Sequence, residues 1–257
     1  KLIAAAVLIE PPVTKFLKCI AGDFGGKMEG LEYKFKSKVS LVRKVHKMLE
    51  ELYFKKLEDN EDNLAVDPAE VIWSLWDSLR YTIILPTEKY TQGVKITTTR
   101  LEEDLDVDHL WRSNCWPGGD GYQGINDTYA VPCPLVPATV KTPGKLQFEL
   151  QFHTPESFAF KMHSHTLYEV YRAAKDPVAK AVAFEEQVNL ANQIPVPAGV
   201  LELPTHSVMV MPCELAMYAD LALSRAMALR DTAQRAVDRC LGKQFKRSWS
   251  ILLAHSE

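Results

Sequence analysis

The amino-acid sequence predicts an α+β domain, a mixed β-sheet flanked by helices. Two observations carry this. Apolar residues recur at helical spacing before residue 77 and after residue 154, while the stretch between them holds short runs rich in β-branched and aromatic residues, interrupted by one helical segment. Within that stretch, Leu146-Gln147-Phe148-Glu149-Leu150-Gln151-Phe152 alternates apolar and polar residues, the signature of a strand with two different faces.

The elements follow in chain order. Ser40 is placed to cap a helix whose apolar positions Leu41, Val45, Met48, Leu52 and Leu57 follow helical spacing. Asp67-Pro68, a cap followed by a first-turn proline, starts a short helix that runs through Trp76. Residues 78–85 (SLRYTIIL), closed by Pro86, read as a buried strand. A helix is expected over 87–101 despite Gly93 and the run of three threonines at 97–99. Strands are expected at 107–115 and 125–132, separated by a loop containing Gly118, Gly119 and Gly121. After the alternating strand come helices at 155–174 and 176–192, a proline-containing linker at 194–204, and an alanine-rich amphipathic helix at 214–241.

Composition narrows the function classes. The chain has 257 residues, 47% of them hydrophobic and 25% charged, as in ordinary globular proteins. Its apolar stretches at 2–9 and 208–211 are far shorter than the roughly 20 residues of a membrane helix, and Glu10-Pro11 does not resemble a signal-peptide cleavage site. Five scattered cysteines without a C-x-x-C pair read as free thiols rather than a zinc site or disulfide frame. A net charge of −3 argues against binding nucleic acid over a broad basic surface. Positive charge is concentrated instead between Tyr33 and Met48, just before the acidic run at 58–62, which suits a compact anion site. The chain begins with Lys rather than Met, so a piece of a larger polypeptide is expected.

Three segments have the residue types for phosphate chemistry. Lys34 and Lys36 precede the first expected helix, and Arg43 and Lys44 lie inside it; cations beside a helix N-terminus reinforce its affinity for phosphate, although such a run also suits a solvated face. Asp77, between an apolar segment and a buried strand, needs a partner or a cation, and Arg80 is one candidate. Alternation places Glu149, Gln151 and His153 on one strand face. Asp77 and Glu149 can supply the one or two carboxylates that Mg2+ takes alongside substrate phosphates, and Glu149 is also a candidate base for an attacking hydroxyl. His163 and His165 share a helix but not a face, so they do not make a two-ligand metal site.

In order, these segments resemble the synthetase domain of RelA/SpoT homologues, whose motifs are R-x-K-…-S-…-K, D-x-x-G-x-R, G-Y-x-S-x-H and E-x-Q-x-R/H-T. The corresponding residues here are Lys34-Phe35-Lys36-Ser37-Lys38-Val39-Ser40-Leu41-Val42-Arg43-Lys44, Asp77-Ser78-Leu79-Arg80-Tyr81-Thr82, Gly121-Tyr122-Gln123-Gly124-Ile125-Asn126 and Glu149-Leu150-Gln151-Phe152-His153-Thr154. The resemblance implies a nucleotidyltransferase-like synthetase fold over residues 1–193, with 194–257 as a C-terminal helical extension. It implies ATP binding by Lys34, Lys36, Ser40, Arg43 and Lys44, and Mg2+ held by the catalytic pair Asp77 and Glu149. It also implies an acceptor nucleotide contacted by Tyr122, Gln123, Asn126, Arg80, Gln151 and His153, with Tyr122 stacking on the base.

The reaction implied is transfer of pyrophosphate from ATP to a ribose 3′-hydroxyl. Lys34 stands at the usual arginine, Thr82 at the strand's arginine, Asn126 at the loop's histidine, and Asp120 precedes the loop glycine. The phrases Tyr122-Gln123-Gly124-Ile125-Asn126 and Glu149–Ser157 (ELQFHTPES) look closer to a toxic branch that makes (p)ppApp. That branch implies an adenine acceptor, a cognate immunity protein as partner and action in the cytoplasm of a target cell after delivery. A (p)ppGpp synthetase and a toxic synthetase acting on tRNA 3′ ends are the enzymatic alternatives, and a degenerate nucleotide-binding module is the non-enzymatic one. The chain has no His-Asp dipeptide, so the family's hydrolase domain is not expected in it.

Overall fold

The computed structural model describes residues 1–59, 64–116, 122–140, 142–173 and 176–205. Gly118, Gly119, Asp120 and Gly121, residues 60–62 of the acidic run and the helix expected at 214–241 lie outside the described residues.

The architecture is α+β, as expected. Helix α1 (Leu2–Asp23) leads into strand β1 (Lys27–Glu29), followed by α2 (Lys38–Glu58), α3 (Pro68–Trp73), β2 (Arg80–Ile84), α4 (Tyr90–Leu105), β3 (Asp108–Asn114), β4 (Ile125–Pro132), β5 (Lys145–His153), α5 (Pro155–Ala173) and α6 (Pro177–Ala191). The five strands form one mixed sheet in the order β1-β2-β5-β4-β3, in which only β2 and β5 run parallel. Among the described residues no helix is long and apolar enough to cross a membrane.

The largest departure from expectation is α1, a 22-residue helix that contains Pro11 and Pro12. A proline pair in a helix interior costs a backbone hydrogen bond each and normally ends the helix. Here Leu2, Ala5, Ala6, Ile9, Val13, Leu17, Ile20 and Ala21 are all buried at helical spacing, while both prolines and the preceding Val7 and Leu8 are exposed. Burial of that stripe outweighs the lost bonds. The cap of α2 is also corrected: Ser37, not Ser40, accepts the Ser40 amide at 3.2 Å, so the helix begins at Lys38. Leu57, expected on its buried stripe, is exposed, while Leu41 and Met48 are buried.

The two sheet faces differ in chemistry. One carries Tyr81 and Ile83 of β2, Phe148, Leu150 and Phe152 of β5 and Tyr129 of β4, all buried in the main core together with residues of α1 and α4. Gly93 of α4 allows close approach, since a Cβ there would lie 2.7 Å from Leu85 Cδ1. The same face holds one polar group. Arg112 of β3 donates two bonds to Asp127 of β4, at 2.8 and 2.6 Å; Tyr129 donates to that carboxylate and Arg112 also reaches the Thr98 hydroxyl of α4. A bidentate, fully hydrogen-bonded pair is the form in which a buried charge is tolerable. The opposite face presents polar side chains and positions the candidate site.

Residues 194–205 pack on this same core. Val200 and Leu203 are buried in it, and Asn114 at the end of β3 donates to both of their carbonyls at 2.8 and 3.2 Å.

Candidate functional site

Strand register assembles the site. The parallel β2–β5 pairing sets Arg80 beside Glu149 and Thr82 beside Gln151. The antiparallel β4–β5 pairing sets Asn126 beside Gln151 and Thr128 beside Glu149. Paired residues project from the same face, so Arg80, Thr82, Glu149, Gln151, His153 and Asn126 share the polar face.

Asp77 reaches this end of the sheet from the turn between α3 and β2. Leu75 and Leu79, both fully buried, anchor that turn on either side. Phe35 bridges Leu79, with the Lys36 amide bonded to Ser78 O and the Arg80 amide to Lys34 O. The bridge carries Lys36 to Asp77, where its ammonium donates to Oδ2. Lys44, from inside α2, forms an ion pair with Asp77 Oδ1 at 3.0 Å and lies over the Trp76 ring, 3.8 Å from its centroid. Burial would lift the Asp77 pKa, but Lys44 and Lys36 outweigh it and hold the carboxyl below its ordinary value. At Lys44 burial dominates, and its pKa is lowered despite the carboxylate beside it.

Glu149 behaves differently. Burial raises its pKa, opposed by the Arg80 charge and by the bond that Gln151 Nε2 donates to Oε1 at 3.1 Å; the Asp77 charge raises it further. One carboxylate is therefore held ionised by two ammonium groups, while its neighbour has a stronger appetite for a proton. The Gln151 carbonyl oxygen accepts from Thr82 at 3.3 Å and from Lys161 of α5 at 2.6 Å.

At the other end of the face, His153 Nε2 and the Tyr122 hydroxyl are 2.9 Å apart, and that hydroxyl donates to Asn126 Oδ1 at 2.9 Å. Burial, reinforced by the Lys161 charge, pushes the His153 pKa well down, so the ring is neutral at ordinary pH. His153 Nδ1 meets Ser157 Oγ at 3.0 Å. Ser157 and Thr154 form a reciprocal cap at the start of α5: the Thr154 amide donates to Ser157 Oγ and the Ser157 amide to Thr154 Oγ1. This junction fixes the direction in which α5 leaves β5 and so aims Lys161 back over the strand.

Not every expected residue joins the group. Lys34 forms an ion pair with Glu10 of α1 at 2.9 Å. Ser40 is tied to Ser37, whose hydroxyl donates to it at 3.0 Å. Arg43 lines a groove on the outer side of α2 with Val39, His46 and Lys47, rather than meeting Asp77. Gln123 is buried and donates to Ala191 O at the end of α6. His163 and His165 are both exposed on α5, flanking the buried Ser164.

Two members of the site were not singled out in the sequence, Trp76 beneath Lys44 and Lys161 above Gln151. Lys161 had a legible signal: it lies one helical turn after Ser157, so both share the face turned toward the strand that immediately precedes the helix.

The donor set suits Mg2+, which takes hard oxygen ligands. Asp77 and Glu149 offer carboxylates close enough for each charge to act on the other, and among the described residues no cluster of three or more His, Cys, Asp or Glu offers an alternative cage. Two carboxylates beside four cationic side chains (Lys36, Lys44, Arg80 and Lys161) leave surplus positive charge, appropriate for polyphosphate and metal together.

No family model matches the chain, and no curated protein matches it. Solved structures do resemble it. The small alarmone synthetase 2 from Bacillus subtilis is 15% identical with a TM-score of 0.45, over 74% of this chain and 88% of that one. The small alarmone synthetase 1 from Bacillus subtilis bound to AMPCPP is 13% identical, TM-score 0.43, over 74% and 87%. The same enzyme bound to its product pppGpp is 16% identical, TM-score 0.38, over 65% and 74%. These three solved structures, to which the chain is similar, are small alarmone synthetases.

Proposed function

We propose that this chain is an ATP-dependent nucleotide 3′-pyrophosphokinase. The observation that carries the reading is the pair of unlike carboxylates at one end of the polar face, Asp77 clamped by Lys36 and Lys44, and Glu149 half-buried with a raised pKa beside Arg80.

Lys36 and Lys44 bind the triphosphate of ATP, exchanging part of their pairing with Asp77 for phosphate oxygens. Trp76 carries the Lys44 ammonium on its face and limits its movement. Asp77 and Glu149 would hold Mg2+, which would supply neutralisation of charge on the phosphates. The acceptor lies along β5 toward His153, where Tyr122 and Asn126 border it. Glu149 accepts the proton of the acceptor's 3′-hydroxyl as that oxygen bonds to the β-phosphorus. The bond from the β-phosphorus to the oxygen bridging the α-phosphate breaks, and AMP departs with that oxygen. A raised pKa makes Glu149 a better base at neutral pH than an ordinary carboxylate, and most of the remaining acceleration comes from positioning and charge.

The acceptor is an adenine nucleotide on this reading, giving (p)ppApp, and the activity is that of an antibacterial toxin acting in a target cell and held in check by an immunity protein. The motif phrases around Tyr122 and Glu149 support that finer assignment. The test is to incubate the protein with ATP, Mg2+ and ADP, GDP or tRNA, and to follow AMP release and the products. AMP release with ADP that is lost in Glu149→Ala supports the reading; no AMP with any acceptor overturns it. Products from GDP or tRNA alone would overturn the adenine assignment. Growth arrest on expression, relieved by Asp77→Ala, is the expected outcome for a toxin.

A further inference from the structure

We infer that Lys161 is a phosphate ligand for the acceptor nucleotide, its ammonium held over β5 between Gln151 and His153 to receive the acceptor's 5′-phosphate group. This rests on the pyrophosphokinase reading and adds a residue and a substrate class to it.

The argument begins with a half-buried ammonium that lacks a countercharge. Its hydrogen bonds go to neutral atoms, Gln151 Oε1 at 2.6 Å and His153 Nε2 at 3.4 Å, and among the described residues it forms no ion pair with a carboxylate. The nearest strong charges include Arg80, which repels it, and Glu149, which attracts it from beyond contact. A partly desolvated cation facing a like charge is costly unless an anion completes the arrangement. An ammonium has three donors, and the neutral partners here leave capacity for a phosphate oxygen.

Position assigns that phosphate to the acceptor. Lys36 and Lys44 gather on Asp77, whereas Lys161 reaches Gln151 and His153, farther along β5 and beside Tyr122 and Asn126. Gln151 lies two residues past Glu149, roughly 7 Å along the strand. That is about the span of a ribose whose 3′-hydroxyl meets Glu149 while its 5′-phosphate reaches Lys161. The Thr154–Ser157 cap fixes the start of α5 one turn before Lys161, so the ammonium is delivered from a rigid element rather than a loop. An enzyme so built selects phosphorylated acceptors over nucleosides.

The test is calorimetric titration of ADP and GDP against adenosine and guanosine, with Mg2+ and saturating AMPCPP in the donor site. Wild type, Lys161→Gln and Lys161→Arg are compared, each first checked for an unchanged thermal transition. The expected result for Lys161→Gln is a Kd for the diphosphate that binds wild type raised about 10- to 100-fold, as for loss of a charge-assisted bond. Binding of the matching nucleoside should change less than about twofold, and Lys161→Arg should recover most of the loss. Equal losses for diphosphate and nucleoside, or no loss for either, overturn the inference and leave Lys161 as a residue that only orients Gln151. Failure of the underlying reading is separate, since it shows as absence of AMP release by the wild-type protein.

Discussion

Replacing Glu149 by Gln should abolish AMP release and at the same time make the protein more stable. The carboxylate loses hydration on burial and receives one direct bond in return, from Gln151 at 3.1 Å, with Arg80 and Lys161 acting at longer range. Its raised pKa means that this compensation is incomplete. Gln has the same shape and keeps an oxygen for Gln151 while removing the charge, although Arg80 and Lys161 then repel each other without a mediating anion. The balance favours the variant by about 1 kcal/mol at pH 7.5, the usual scale for relieving a functional site of an unfavourable group.

For a domain of this size that is a rise in Tm of about 2–4 °C. Because the folded pKa lies above the unfolded value of about 4.3, the fold favours the protonated acid. That favourable contribution is complete below the unfolded pKa and is lost as pH rises through the folded pKa. The advantage of the variant should therefore be small near pH 4.5 and grow toward pH 7.5. Differential scanning calorimetry in EDTA at several pH values measures it, and adding Mg2+ with AMPCPP should raise the wild-type Tm more than the variant's. A Glu149→Gln protein no more stable than wild type at pH 7.5, or an advantage that does not shrink on acidification, would refute the account of Glu149 as a half-buried charge kept for function.

Three further outcomes follow from the geometry. Asp127→Asn breaks the buried bidentate pair with Arg112 on the core face and should cost about 3–5 kcal/mol in urea unfolding; a loss under about 1 kcal/mol would mean that the pair is dispensable. Gly124→Ala would place a Cβ 2.9 Å from His153 Cε1 and 3.0 Å from Phe152 O, so the imidazole that meets Tyr122 must shift. Its acceptor KM should rise while the ATP KM holds, at a cost of about 1–3 kcal/mol in stability. Lys44→Gln should raise the ATP KM about tenfold or more, whereas Lys34→Gln should do less because Glu10 already occupies that ammonium; steady-state kinetics with varied ATP compares them.

Much of the fold was readable locally. Strand β4 was placed at its observed bounds, and β5 extends the expected strand by one residue at each end, because alternation is a property of consecutive residues. Helix α1 was not readable, since Pro11 and Pro12 are strong local breakers and only the burial of its apolar stripe overrides them. The short edge strand β1 was missed for a related reason: Lys27-Met28-Glu29 has no pattern of its own and exists by pairing with β2.

For the site, the division follows the same physics. Residue type and order nominated Asp77, Glu149, Gln151, His153 and the lysines, because carboxylates and amides on one strand face and cations before a helix are local facts. Which of those groups meet is decided by nonlocal pairing. The Phe35–Leu79 bridge brings Lys36 to Asp77, and the orientation of α2 turns Lys44 inward and Arg43 outward. The unlike proton affinities of Asp77 and Glu149 come from burial and from charges distant in sequence, so tertiary structure alone sets them. Lys161 shows the limit most plainly: its place one turn after Ser157 turns it toward the preceding strand, but only the α5 packing over β5 leaves its ammonium between Gln151 and His153 without an ion-paired carboxylate.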